Sequence, residues 1–359
     1  MVTIKKPGKL FIGGEYSVVE SYGKAILVAV DRFIEIKLDR SESPDQGKIE
    51  SFNGVEVHYT LADSYTLIED DIRFNYIISA LNIVKEYLDG LGYISSLYDI
   101  SITSHMENED GIKYGIGSSA GVVAGVIEAV LKLHELQISK RELFKLSVLA
   151  TLSINREGSC ADIATVIYGG CIFYTKFNDH RVLEYLDSHS IADAVAANWE
   201  GLEIETLDFP DQWDFNVIWT KKPASSIDLV SKIKDKVTRN EKKYSDFLGL
   251  SENIILAMRL AIIDKKYNLF RDSVEANREA LNRLAHDFNS TIETKELNDA
   301  ISISEQFGLV AKSSGAGGGD CAVAFTNKEI DKDSFIKRLE DDNLEMLDFK
   351  IYKGDDHVQ

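Results

Sequence analysis

The stretch "GIKYGIGSSAGVVAGVIEAVLKL", residues 111–133, sets a loop of small residues and one lysine directly against an apolar, helix-forming run. The first turn of a helix leaves amide N–H groups without partners, and the helix dipole draws anions to that end. A glycine-rich entrance lets a phosphate come close to those amides. The same residues are also compatible with a simpler arrangement, in which Gly115 and Gly117 shape a turn and Ser118 or Ser119 caps the helix. Two better-known glycine loops are excluded. The pattern G-x-x-x-x-G-K-[ST] is absent because Lys113 precedes the glycines. Residues 115–120, "GIGSSA", satisfy G-x-G-x-x-[GA], and Glu135 lies twenty residues on. A dinucleotide fingerprint, however, follows a strand at once and leads through its helix into a second strand. Here "ENEDGIK" separates the glycines from the strand-like "LYDISITSHM", and "SKRELFKLSVLATLSINRE" beyond reads as another helix, opened by Ser139 and Glu142 at capping-box spacing.

Two more stretches carry chemistry-bearing residues among glycines: "PGKLFIGGEY" from Pro7 and "SSGAGGGDCAVA" from Ser313. The elements around all three alternate in an α+β pattern. Strand-like "GKLFIGG" and "KAILVAVDRFIEIKL" open the chain, and "DIRFNYIISALNIVKEYLDGLG" has apolar spacing suited to a helix ended by glycine. After the two helices that follow the central loop, "GSCADIATVIYGGCIFYTKF" reads as loop, short helix, a Gly169-Gly170 break and strand. Pro210 marks a boundary, dividing the chain into domains 1–210 and 211–359. Beyond it come a strand ending at Thr220, a helix opening near Ser225 and about eighty mainly helical residues. A helix then leads through "SSGAGGGD" into the strand "CAVAF", and a last helix and strand follow in "DKDSFIKRLEDDN" and "MLDFKIYKG".

The 359 residues can bury a substantial core. Forty basic against fifty-nine acidic residues give a formal charge of −19, which opposes attraction to nucleic acid or an anionic membrane surface. A phosphate site in such a chain is a local exception built from a few lysines, backbone amides and a metal ion. No apolar run approaches the ~18 residues that span a bilayer, and the N-terminus lacks a signal-peptide core, so a cytoplasmic protein is expected. Cys160, Cys171 and Cys321 are odd in number without C-x-x-C spacing, and are read as reduced, buried thiols. The seven scattered histidines form no transition-metal motif.

The ordered trio "PGKLFIGGEY", "GIGSSAG" and "SSGAGGGDCAVA", with "GSCAD" between the second and third, resembles the GHMP kinases from end to end. The resemblance implies a two-domain α+β kinase fold, with an N-terminal domain like the second domain of ribosomal protein S5. Among members, "GIKYGIGSSAGVV", "WTKKPASS" and "AKSSGAGGGDCAVA" look most like those that move the γ-phosphoryl group of ATP onto the phosphate of 5-phosphomevalonate, giving 5-diphosphomevalonate and ADP. Members acting on mevalonate or diphosphomevalonate, and a non-catalytic ligand sensor, are the alternatives. By resemblance, Tyr114, Gly115, Ile116, Gly117, Ser118, Ser119, Ala120 and Gly121 wrap ATP phosphates, and Ser118 and Ser119 supply hydroxyls to phosphate or Mg²⁺. Lys113 neutralises charge on the transferring group, and Lys9 faces the acceptor or the transferred phosphoryl. Asp162 orients the nucleophile or takes a proton, a lesser need where the acceptor is an ionised phosphate. Ser159, Ser225 and Ser226 bind the acceptor's phosphate or carboxylate. Gly315, Gly317 and Gly318 let the third stretch pass close to substrate, with Asp320 fixing that turn. One departure stands out: Thr151 occupies the place, eleven residues before Asp162, where mevalonate kinases carry a glutamate for Mg²⁺.

Overall fold

A computed structural model describes residues 1–51, 54–224, 226–238 and 240–354. Its first sheet holds β1 (Val2–Gly13), β2 (Lys24–Arg40), β3 (Gly47–Glu50), β4 (Glu56–Leu61), β5 (Tyr65–Leu67), β6 (Tyr98–Ser104), β7 (Cys171–Thr175) and β8 (Glu203–Leu207). The strand order is β5-β4-β3-β6-β2-β7-β8, with β1 paired antiparallel along β2. The second sheet, β10-β11-β9-β12, is formed by β9 (Asp214–Trp219), β10 (Val310–Ser313), β11 (Cys321–Thr326) and β12 (Glu345–Leu347), all antiparallel.

β2 shows why its residues make a strand. Residues 25–30 are buried without interruption, as in a strand covered on both faces. Further along, Ile34, Ile36 and Leu38 point inward, while Glu35 turns outward and pairs with Lys5 and Lys37. The helices α1 (Asn75–Gly90), α2 (Ser118–Leu133), α3 (Lys140–Ile154) and α4 (Ala161–Tyr168) pack on one another, with α2 lying against β1 and β2. Gly121 and Gly125 permit that approach: a Cβ at Gly121 would lie 2.8 Å from Ile34 Cγ2, and one at Gly125 2.3 Å from Ile36 Cδ1. The capping box at α3 is complete, since Ser139 Oγ accepts the Glu142 N–H at 3.2 Å and Glu142 Oε2 accepts the Ser139 N–H at 2.7 Å.

The short helices α5 (Asp179–Leu186) and α6 (Ile191–Ala196) precede β8. On the C-terminal side stand α7 (Ser226–Val237), α8 (Glu241–Ile263), α9 (Tyr267–Asp287), α10 (Lys295–Gln306) and α11 (Lys332–Asp341). One connection differs from the sequence reading. The third glycine stretch follows not a helix but the four-residue strand β10, and so joins two antiparallel neighbours, β10 and β11. The three cysteines are free and buried. Among the described residues no helix is long and apolar enough to cross a membrane.

Candidate active site

β1 delivers Lys9, and the central glycine loop is stitched onto it. The Lys9 N–H donates to the Ile116 carbonyl at 2.8 Å. Gly8 makes room for this, because a Cβ there would fall 2.7 Å from Ile116 Cδ1. The Lys9 side chain then runs across Gly117, where a Cβ would meet Lys9 Cε at 2.8 Å, and its ammonium donates to the Gly115 carbonyl at 3.4 Å.

Gly115 and Gly117 hold φ of 77° and 86°, the left-handed region that glycine enters without a Cβ penalty. Gly117 itself is the N-cap of α2, and no side chain caps that helix. The capping role open to Ser118 and Ser119 is therefore not what is seen. Their hydroxyls and the first-turn amides of residues 118–120 make no hydrogen bond among the described residues, so they are available to an anion.

Three other segments converge here. Cys160, in a left-handed conformation at φ 59°, turns the chain into α4 and brings Ser159 and Asp162 to the same cleft. Ser159 is held by Tyr174, whose hydroxyl donates to its carbonyl at 2.9 Å. In the third stretch Gly315 meets open space and lines the cleft, whereas Gly317, Gly318 and Gly319 serve packing. A Cβ at Gly317 would meet the Ile292 carbonyl at 2.3 Å, one at Gly318 Leu229 Cδ1 at 2.6 Å, and one at Gly319 the Lys222 carbonyl at 2.4 Å. Asp320 also faces the cleft; burial pushes its carboxyl up, opposed by the Ala224 N–H and the Lys9 ammonium.

These groups line one cleft of ≈ 430 Å³. Of the residues expected from sequence, Lys9, exposed Lys113, Gly115, Gly117, Ser118, Ser119, Ala120, Ser159, Asp162 and Gly315 lie on it. Tyr114, Ile116, Gly121, Gly317 and Gly318 do not. Tyr114 turns its ring into an aromatic cluster, 4.9 Å from Trp219 and 5.5 Å from Phe349. Ile116 is 1% exposed and packs in the core, and Gly121 faces Ile34. The side chains of Tyr114 and Ile116 thus serve packing, and what these two residues offer the loop is their backbone. Ser225 lies outside the described residues, and Ser226 opens α7.

The cleft also recruits residues the sequence reading did not place there: Glu15, Tyr16, Tyr76 and Glu157, together with Thr151, whose hydroxyl donates to the Ser147 carbonyl at 2.9 Å. Glu15 is 2% exposed and ion-paired to Lys312, which is fully buried and also donates to the Ser313 carbonyl at 2.6 Å. Beside this pair, Ser314 Oγ accepts the Phe11 N–H at 2.9 Å, and the Tyr16 hydroxyl donates to the Ala316 carbonyl at 2.6 Å. The first and third glycine stretches are thus welded together under the cleft. Lys312→Met is expected to lower unfolding free energy by about 3–5 kcal/mol, because it leaves Glu15 buried and unpaired. Urea denaturation measures the loss, and an unchanged midpoint would contradict it.

Comparison with known proteins follows this geometry. Residues 75–170 match the family profile described as "GHMP kinases N terminal domain", and residues 266–344 that described as "GHMP kinases C terminal". Phosphomevalonate kinase of Streptomyces sp. (strain CL190) is 30% identical over 339 residues, covering 91% of this chain and 90% of that protein. The chain belongs to the GHMP kinase family. This GHMP kinase has the two-domain fold of that family and is an ATP-dependent kinase. Among solved structures it superposes on the Lin0012 protein from Listeria innocua with a TM-score of 0.90, at 33% identity and 97% coverage of both chains. Streptococcus pneumoniae phosphomevalonate kinase in complex with phosphomevalonate and AMPPNP gives a TM-score of 0.84 at 27% identity, covering 98% of this GHMP kinase and 99% of that chain.

Proposed function

We propose that this GHMP kinase phosphorylates 5-phosphomevalonate, using ATP to form 5-diphosphomevalonate and ADP. The observation that carries the reading is the convergence of the Lys9 ammonium, the free amides of residues 118–120, the hydroxyls of Ser118 and Ser119, and Ser159 on one cleft. Such a wall offers charge-assisted donors to the phosphate oxygens of both the nucleotide and the acceptor. The two phosphomevalonate kinases compared above support it.

In the reaction, an oxygen of the acceptor's phosphate attacks the γ-phosphorus, the bond from γ-phosphorus to the bridging oxygen breaks, and ADP leaves with that electron pair. The acceptor phosphate is largely ionised near neutral pH, its second pKa being about 6, so no side chain must first remove a proton. The chain's work is positioning and charge neutralisation. Lys9 and Lys113 meet the charge that moves between the two phosphates, and the amides of residues 118–120 hold the nucleotide's phosphates. Asp162, whose Oδ1 accepts the Ile163 N–H at 3.0 Å, orients the acceptor.

Mg²⁺ fits the donors present. It takes oxygen ligands and commonly binds through one or two carboxylates with phosphates and water. Among the described residues Ser118 and Ser119 offer free hydroxyls, and Glu15 Oε2, on the same cleft, is buried without a hydrogen-bond partner. These residues would hold it, and when bound it would supply charge neutralisation at the β- and γ-phosphates.

Phosphorus NMR of the product tests the reading. Incubation with ATP and 5-phosphomevalonate is expected to convert the acceptor's single resonance into two mutually coupled ones, the mark of a diphosphate ester. Release of ADP without that coupled pair would overturn it.

A further inference from the structure

Asp320 is the one residue with a side chain at the end of a run of three glycines, 317–319, and it holds a left-handed backbone at φ 54°. Aspartate tolerates that region better than most residues, yet glycine would occupy it without strain. The side chain that is kept there touches two parts of the site, and the backbone of the same residue ties down a third. Its carboxylate fills the space left by the absent side chain of Gly115, where a Cβ would lie 2.2 Å from Asp320 Cγ and 2.3 Å from Oδ2. Its Oδ1 accepts the Ala224 N–H at 3.2 Å. Its backbone N–H donates to the Lys222 carbonyl at 2.7 Å, while its carbonyl accepts from both the N–H and the hydroxyl of Thr220 at 2.9 Å. Gly115, against which the carboxylate rests, is also the residue whose carbonyl receives the Lys9 ammonium. Asp320 and Lys9 thus grip the same glycine and face the same cleft.

A carboxylate lining a cleft that takes phosphates is electrostatically costly, since it repels the ligand it faces. Simple anion binding would be served better without it. We propose that Asp320 is a positioning residue for phosphoryl transfer: held by the 220–224 segment and packed under Gly115, it presents its carboxylate charge across that glycine to the Lys9 ammonium and so sets the line along which Lys9 reaches the transferred group. This inference rests on the reading of the cleft as the transfer site.

The opposing effects predict an uncommon kinetic signature. Asp320→Asn keeps a side chain suited to the left-handed backbone and a carbonyl for the Ala224 N–H, but removes the charge that complements Lys9. Its kcat is expected to fall about tenfold while KM for ATP stays level or falls, because the repulsion is gone and only the reacting geometry has suffered. The loss in kcat should shrink to less than about threefold in a Lys9→Met background, where there is no ammonium left to position. Wild-type turnover, measured in parallel with 5-phosphomevalonate and with mevalonate, tests the functional reading separately; the variants are assayed with whichever acceptor the wild type uses. An Asp320→Asn enzyme with wild-type kcat, or one whose KM for ATP rises as its thermal midpoint drops, would overturn the proposal. So would equal losses in both backgrounds. The kcat and KM split is read on the single variant, and so does not depend on how much activity Lys9→Met retains.

Discussion

Gly117→Val is expected to weaken ATP binding by at least about 100-fold, close to 3 kcal/mol, while the protein remains folded. Two physical effects combine. Gly117 sits at φ 86°, a region that costs a non-glycine residue on the order of 1–3 kcal/mol, with β-branched side chains among the worst placed. The added Cβ would also start 2.8 Å from Lys9 Cε and 2.9 Å from Lys9 Cγ, so the lysine must leave its track along the loop. The amides at the start of α2 would then lose both their alignment and the cation beside them. The sheet and α2 beyond its first turn do not depend on this contact, since α2 is anchored by the apolar face that includes Val123, Ala124 and Ile127. Calorimetric titration with a non-hydrolysable ATP analogue, alongside a thermal melt, measures both halves of the expectation. Wild-type affinity in the folded variant would remove this loop from the nucleotide site.

Much of the scaffold is legible from the residues alone. α3 announces itself through Ser139 and Glu142, and its box forms as the spacing predicts. The break at Gly169-Gly170 lies between α4 and β7, with both glycines at positive φ. What stays hidden has physical causes. β10 has four residues, too few for a period to show, so the third glycine stretch looks attached to a helix. Nothing local in "VAKSS" marks Lys312 as fully buried, because its partner Glu15 is 297 positions away. The strands of residues 47–67 and the helices α5 and α6 are short and partly exposed, and the apolar pattern that betrays longer elements is weak there.

The candidate site divides the same way. Lys9, Ser118, Ser119, Ser159, Asp162 and Gly315 stand in stretches dense in glycine and serine, and the fold gathers them on one cleft. Tyr114 and Ile116 share the central stretch, but Ile116 is buried in the core and Tyr114 packs its ring on Trp219 and Phe349. Asp320 reads from sequence as a turn residue, which it is. Its second face, under Gly115, becomes visible only when loops 205 positions apart are brought together.

The acceptor decides the central claim. A cleft that offers a lysine ammonium, serine hydroxyls and loop amides to two phosphates leaves some of those groups unsatisfied when the acceptor carries none, and missing polar partners discriminate strongly. Sites built around such hydrogen bonds reject the ligand that lacks them by about 10⁴-fold. Steady-state release of ADP, coupled to an indicator reaction and run with 5-phosphomevalonate and with mevalonate under identical ATP and Mg²⁺, gives kcat/KM for each. The account predicts an efficiency about 10⁴-fold greater with 5-phosphomevalonate; equal efficiency, or a preference for mevalonate, would contradict it.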